Sequence, residues 1–212
     1  VVDGRLEAFS DGVFAVAITL LSIDLVVAGP GHGTTLAHQL REAWPNFAAF
    51  LVSFFVVGII WVNHHSLFKN FAKVDRTLLF LNLLLLLFVV TIPFVTSTLA
   101  KYLTDNSRSA SLAAVLYSGV SLAMSVSFAL LFNWSVRDPS RLRNPVPSEQ
   151  LNRIRFRFVG VGTSVYVVAL VVGIFSAPVC LAVNALIAAY YCFEQTPPLT
   201  RTMPGPDVVP EE

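Results

Sequence analysis

Four ionisable side chains stand well inside apolar stretches of this sequence: Asp11, Asp24, His64 and His65. Such residues are costly in a bilayer and mark ion or proton paths, or polar contacts between helices. Near them lie Ser10, Trp61, Asn63 and Asn82, whose hydroxyl, indole N–H and amides supply the donors that a carboxylate in an apolar medium needs. At about 1.5 Å per helical residue, Asp11 lies about 9 Å in from Arg5, His65 about 6 Å in from Lys69, and Asn82 about 9 Å in from Arg76. These depths coincide, so Ser10, Asp11, Trp61, Asn63, His64, His65 and Asn82 are expected to form one buried polar cluster. Its simplest role is to staple three helices together; a proton relay through Asp11 and His65, or a metal held by Asp11, His64 and His65, are the alternatives. Adjacent histidines project about 100° apart on a helix, a poor arrangement for chelation, so neither metal nor cofactor is expected.

The elements that must position this cluster follow from composition. The chain has 212 residues, of which 55% are hydrophobic and 13% charged, with a mean hydropathy of +0.71. Soluble domains carry roughly a quarter charged residues, so lipid is the expected solvent and a soluble globular domain is excluded. The net charge of +1 gives no basis for a nucleic-acid partner. Apolar runs between polar breaks predict an all-α integral membrane protein with six transmembrane helices at about 7–28, 44–68, 77–102, 110–134, 156–175 and 177–193. Together they make one unit over 1–193, with a disordered, proline-rich tail over 194–212. Cys180 and Cys192, about 18 Å apart along one helix, cannot pair within it.

Of the 14 Lys and Arg, 11 flank one side of these spans (Arg5, Lys69, Lys73, Arg76, Arg137, Arg141, Arg143, Arg153, Arg155, Arg157, Arg201) and 3 the other (Arg41, Lys101, Arg108). The positive-inside rule then puts both termini in the cytoplasm of a multi-pass cell-membrane protein. The Arg cluster over 137–157 is read as that topology signal alone, the alternative being a site for anionic lipid head groups on the same loop.

The first helix has two unlike faces. With Val16 as reference and about 100° per residue, Phe9, Gly12, Thr19, Leu20 and Ile23 fall within about 60° of it, Asp24 about 80° away and Asp11 about 140° away. An aliphatic stripe therefore lies opposite the polar cluster.

Arg5-x-x-x-Phe9-Ser10-Asp11 at the head of this helix, followed by Gly12-Val13-Phe14-Ala15-Val16-Ala17-Ile18-Thr19-Leu20-Leu21 and paired with Trp61-x-Asn63-His64-His65, resembles the prokaryotic branch of the endolysosomal potassium channel family, the transmembrane protein 175 family. The resemblance covers residues 5 to about 193. It implies a potassium-preferring cation leak channel, a homotetramer of six-helix subunits whose first helices line the central pore, with no cofactor beyond the permeant potassium ion. It also implies a constriction of branched aliphatic side chains, here Val16 at the narrowest ring, then Thr19, Leu20 and Ile23, with Asp24 at the mouth. Val16 stands where many relatives have the larger Ile or Leu. Such rings offer no oxygen in place of hydration, and potassium gives up water more readily than sodium, so a modest preference is expected.

The family lacks the potassium-channel signature loop, and here there is no Thr-Val-Gly-Tyr-Gly and no re-entrant filter segment is expected. Val159-Gly160-Val161-Gly162-Thr163-Ser164 lacks the Tyr; close helix packing through Gly160-x-x-x-Ser164 is the expected reading. Two other function classes compete. A membrane metal-dependent enzyme using His64 and His65 lacks a third ligand at depth and a nucleophile with a base at useful spacing. A proton-coupled transporter would show inverted repeats and broken helices, whereas only Pro93 interrupts a helix centre.

Overall fold

The computed structural model describes residues 2–27, 35–105, 107–143, 156, 160 and 162–193. They form helices α1 (Val2–Leu20), α2 (Leu36–Glu42), α3 (Trp44–Phe68), α4 (Arg76–Tyr102), α5 (Arg108–Val136), a 3₁₀ turn Pro139–Arg141, α6 (Gly162–Phe175) and α7 (Ala177–Phe193). The starts are written in local chemistry: the Asp75 carboxylate accepts the N–H of Leu78 at 2.8 Å, and the Thr35 and Ser107 hydroxyls cap α2 and α5. Pro45 in the first turn of α3 occupies a position where a missing N–H costs nothing.

Three helices, α3, α4 and α5, are long and apolar enough to cross a membrane, while α6 and α7 are shorter apolar helices. α4 is the central post. Leu78, Asn82, Leu85, Val89, Ile92, Thr96 and Leu99 repeat at alternating spacings of three and four and are all buried, the seam that side chains on one helix face make against neighbours. α5, α3 and α1 all pack on α4, with Asn82 of this seam meeting α1 and α3 and Thr96 meeting α3, and α6 packs on α5. The opposite face of α4, with Phe80, Leu83, Leu87, Val90 and Phe94, is exposed, as expected where lipid is the solvent.

Small residues and a few polar contacts join the helices. A Cβ on Gly173 would sit 3.2 Å from the backbone of Ala114, so α6 approaches α5 as closely as glycine allows. Ser53 and Tyr117 are joined at 3.0 Å and the Thr96 hydroxyl donates to Ser53 at 2.8 Å, tying α3, α4 and α5 together at mid-height. At one end, Ala72 N–H donates to the Arg141 carbonyl at 2.7 Å and Arg143 N–H to the Asn70 carbonyl at 2.8 Å, a bridge between the α3–α4 loop and the chain after α5. Single-residue Ser176 separates α6 from α7.

Several expectations need correction. The first helix runs over 2–20, not 7–28: after Leu20 the chain tightens into i to i+3 bonds, Ser22 N–H to Thr19 at 3.1 Å and Ile23 N–H to Leu20 at 3.2 Å, while the Ser22 hydroxyl takes the Thr19 carbonyl at 2.8 Å. Serine competing for backbone carbonyls is what ends the helix. The short capped helix α2 lies between the first two expected spans, 7–28 and 44–68. The fifth helix is described from Gly162, with much of 156–161 and all of the tail 194–212 outside the described residues. Gly160-x-x-x-Ser164 makes no close helix packing among the described residues: Ser164 is exposed, its hydroxyl donates to the Gly160 carbonyl at 2.7 Å, and of the described residues a Cβ on Gly160 would meet the Phe156 ring alone. The close approaches are made by Gly162, against the Tyr191 hydroxyl, and by Gly173.

Candidate functional site

α1 turns Ser10, Phe14, Ala17 and Leu21 into the protein, all buried and spaced by four, three and four residues. The other side of the same segment stays open: Phe9, Gly12, Val16, Thr19, Leu20 and Ile23 are exposed, Val16 by 55% and Ile23 by 65%. The aliphatic stripe and the polar face therefore lie where the wheel put them, with one change. Ile23 and Asp24 lie beyond the regular helix, in the turns that follow Leu20. The Thr19 hydroxyl donates to the Val16 carbonyl at 2.8 Å, leaving its oxygen lone pairs outward. The Asp24 side chain is exposed, and its backbone carbonyl accepts the Asn46 amide at 3.3 Å, linking the end of this segment to the start of α3.

Opposite the stripe, the expected polar cluster is present but divided in two. Its buried half is a linear chain across three helices. Ser10 Oγ donates to the Leu6 carbonyl at 3.0 Å and accepts Asn82 Nδ2 at 2.9 Å; Asn82 Oδ1 meets His64 Nε2 at 2.8 Å. With the Asn82 amide donating to Ser10, its oxygen can only accept, so His64 carries its proton on Nε2. The His64 ring stacks on Phe68 at 3.9 Å between centroids and meets Phe14 at 5.4 Å.

The outer half is a ladder of four side chains. On α1, Glu7 and Asp11 are one turn apart on one face; on α3, so are Trp61 and His65. Trp61 Nε1 donates to Asp11 Oδ1 at 2.9 Å, His65 Nδ1 stands 3.0 Å from Glu7 Oε1, and the Trp61 and His65 rings stack at 5.8 Å. His64 and His65 thus point to different halves, as neighbouring helical residues must.

Sequence reasoning overlooked Glu7. Its spacing of four from Asp11 was the available signal, lost because a charge near a helix end reads as flanking polarity. Asn63, expected in the cluster, lies elsewhere: its amide donates to the Ile59 carbonyl at 3.0 Å, and it lines a groove of about 570 Å³ with Ile18, Phe54, Trp61, Tyr191 and Cys192. Arg5 is exposed at the head of α1. The Ser53–Thr96–Tyr117 contact was also missed, as was that of Cys180 with Ser118 at 3.0 Å; both cysteines are free thiols.

The arrangement joins a firmly anchored polar edge to an unpartnered aliphatic edge on a single helix. The family model described as endosomal/lysosomal potassium channel TMEM175 matches residues 5–93, which hold the stripe and every member of both halves of the cluster. A potassium channel of Streptomyces collinus is 44% identical over 209 residues, covering 96% of this chain and 98% of that one. A potassium channel of Chamaesiphon minutus is 36% identical over 194 residues, covering 89% and 92%. The crystal structure of a lysosomal potassium-selective channel TMEM175 homologue from Chamaesiphon minutus superposes with a TM-score of 0.79 at 34% identity, over 90% of this chain and 96% of that one.

Proposed function

Because the chain belongs to the TMEM175 family of potassium channels, we propose that it conducts potassium passively through a membrane pore assembled from the α1 helices of four identical subunits. The observation that carries this reading is the exposure of Val16, Thr19 and Leu20 on α1, and of Ile23 in the turn after it, on a segment whose other face is buried and hydrogen-bonded. An aliphatic face bare in one subunit meets lipid, as on α4, or a neighbour or a narrow path; membership of the channel family favours the path.

Around a fourfold axis, rings of Val16 and Leu20 form the constriction, and Ile23 and Asp24, beyond the end of the regular helix, form its outer mouth. The rings offer no oxygen in place of hydration water, so an ion passes partly stripped. Potassium, which sheds water at lower cost than sodium, passes more readily, and the preference is modest. Thr19, the one hydroxyl on the stripe, steadies the stripped ion, and Asp24 concentrates cations at the entrance.

Six spans without a re-entrant filter loop, one six-helix unit over 1–193 with a cytoplasmic tail over 194–212, and both termini in the cytoplasm complete the reading. The excess of Lys and Arg on one side of the spans supports that orientation. No cofactor is needed, and no enzymatic step: the chemistry is dehydration alone. Purified protein in liposomes, compared for potassium, sodium and a large organic cation, tests the proposal. Potassium flux above sodium flux without ATP or a proton gradient is expected; flux that requires either refutes it.

A further inference from the structure

We propose that Glu7, Asp11 and His65 form a binding site for a first-row divalent transition-metal cation, bridging α1 and α3. A carboxylate oxygen of Glu7, one of Asp11 and a ring nitrogen of His65 all lie within 4.8 Å of one another. One nitrogen and two carboxylate oxygens are a donor set that zinc and its neighbours accept, with further positions left for water.

The local geometry favours an ion over a plain ion pair. His65 Nδ1 is 3.0 Å from Glu7 Oε1, yet it is withdrawn from solvent and makes no aligned hydrogen bond. Two ligands each about 2.1 Å from one metal subtend about 90° at that separation, a coordination angle. Ligands about 2.1 Å from one metal lie about 3.4 Å apart in a tetrahedral set and about 4.2 Å apart when trans, so side-chain shifts of about 1 Å close the set. Glu7 and Asp11 are like charges one turn apart, which oppose each other on a helix. A divalent cation between them cancels that opposition, and Asp11 keeps its bond from Trp61.

This trio replaces the one considered from sequence. His64 is committed to Asn82, and Glu7 takes its place. The site requires only that α1 and α3 be packed as they are, and its test reads binding, so its outcome is separate from that of the channel reading.

Trp61, stacked on His65 and bonded to Asp11, is the natural reporter. In full-length protein carrying Trp44→Phe, Trp134→Phe and Cys192→Ser, cobalt should quench the remaining indole saturably, and zinc, followed by titration calorimetry, should bind once per chain and displace it. Glu7→Gln and His65→Gln should each weaken binding at least tenfold. Glu42→Gln, at the exposed His38–Glu42 pair on α2, should not. Should Glu7→Gln assemble poorly, its thermal unfolding still decides: zinc raises the midpoint of the parent and not of the variant. No saturable quenching, or quenching and midpoint shifts unchanged by Glu7→Gln, overturns the proposal.

Discussion

Trp61 and Asp11 are joined across two helices, indole N–H to carboxylate, at 2.9 Å. The bond sets the rotation of α1 about its own axis, because Asp11 can meet Trp61 only if Val16, about 140° around the helix, faces away from the rest of the subunit.

Removing the acceptor therefore disturbs assembly before selectivity. Asp11→Ala removes the partner of the exposed Trp61 N–H, a loss of about 0.5–1.5 kcal/mol, and His65→Ala strips the neighbouring rung. Both should lower the yield of the oligomer on size exclusion, while the potassium-to-sodium ratio of protein that does assemble stays near the parent value. Normal assembly with altered selectivity would place the ladder in the ion path and reverse the assignment.

Asn82 serves both Ser10 and His64, so Asn82→Leu leaves the buried His64 N–H unpaired and deprives the Ser10 oxygen of its donor, although Ser10 keeps its bond to the Leu6 carbonyl. It should cost more than Ser10→Ala, on the order of 2–4 kcal/mol against about 1 kcal/mol. Thermal unfolding in detergent should rank them in that order.

On the exposed stripe, Leu20→Asn or Ile23→Ser should wet the path, raising conductance and lowering the potassium preference. Val16→Phe should block it. Thr19→Val keeps the shape and removes the hydroxyl, so potassium preference should weaken with the oligomer intact. Single-channel or liposome flux measurements distinguish the three outcomes.

Cysteines at Val16 and Leu20, in a background with Cys180→Ser and Cys192→Ser, should react with small water-soluble thiol reagents and cut the current. Cysteine at Ala17, which is fully buried on the opposite face, should be inert. Reversal of that pattern would mean that α1 is rotated in the assembly.

Gly173→Ala should destabilise by about 1–3 kcal/mol through overpacking against Ala114, whereas Gly160→Ala should be close to neutral. Comparing the two unfolding midpoints checks which glycine brings α6 to its neighbour.

The readable parts of this protein are those where one physical cause dominates. The two faces of α1 were visible because burial alternates at helical spacing from Ser10 to Leu21, and the polar cluster because depth along two helices can be counted from their charged ends. What escaped depended on competition between local and distant partners. A wheel drawn at constant pitch ran past Leu20, since nothing in the pattern announced that the Ser22 hydroxyl would capture the Thr19 carbonyl. Gly160 and Gly173 look alike in sequence, and only the neighbour facing each decides which one matters. Asn63 stands next to His64 but faces a groove that Trp61 also lines, because adjacent helical residues share no face. Ser53, Thr96 and Tyr117 are unremarkable apart; their meeting follows from how three helices cross.

Side chains of Glu7, Ser10 and Asp11 tie the N-terminal half of α1 to its neighbours, and the segment after α1 is tied to α3 where the Asp24 carbonyl accepts the Asn46 amide at 3.3 Å. Between these two ties Phe14, Ala17 and Leu21 are held by apolar packing, which resists sliding far less than a directional bond does. The segment is thus a beam held at both ends and most compliant in the middle of its span. In the proposed pore the rings of Val16 and Leu20 lie near midspan and yield most, and Ile23, beside the second tie, yields least.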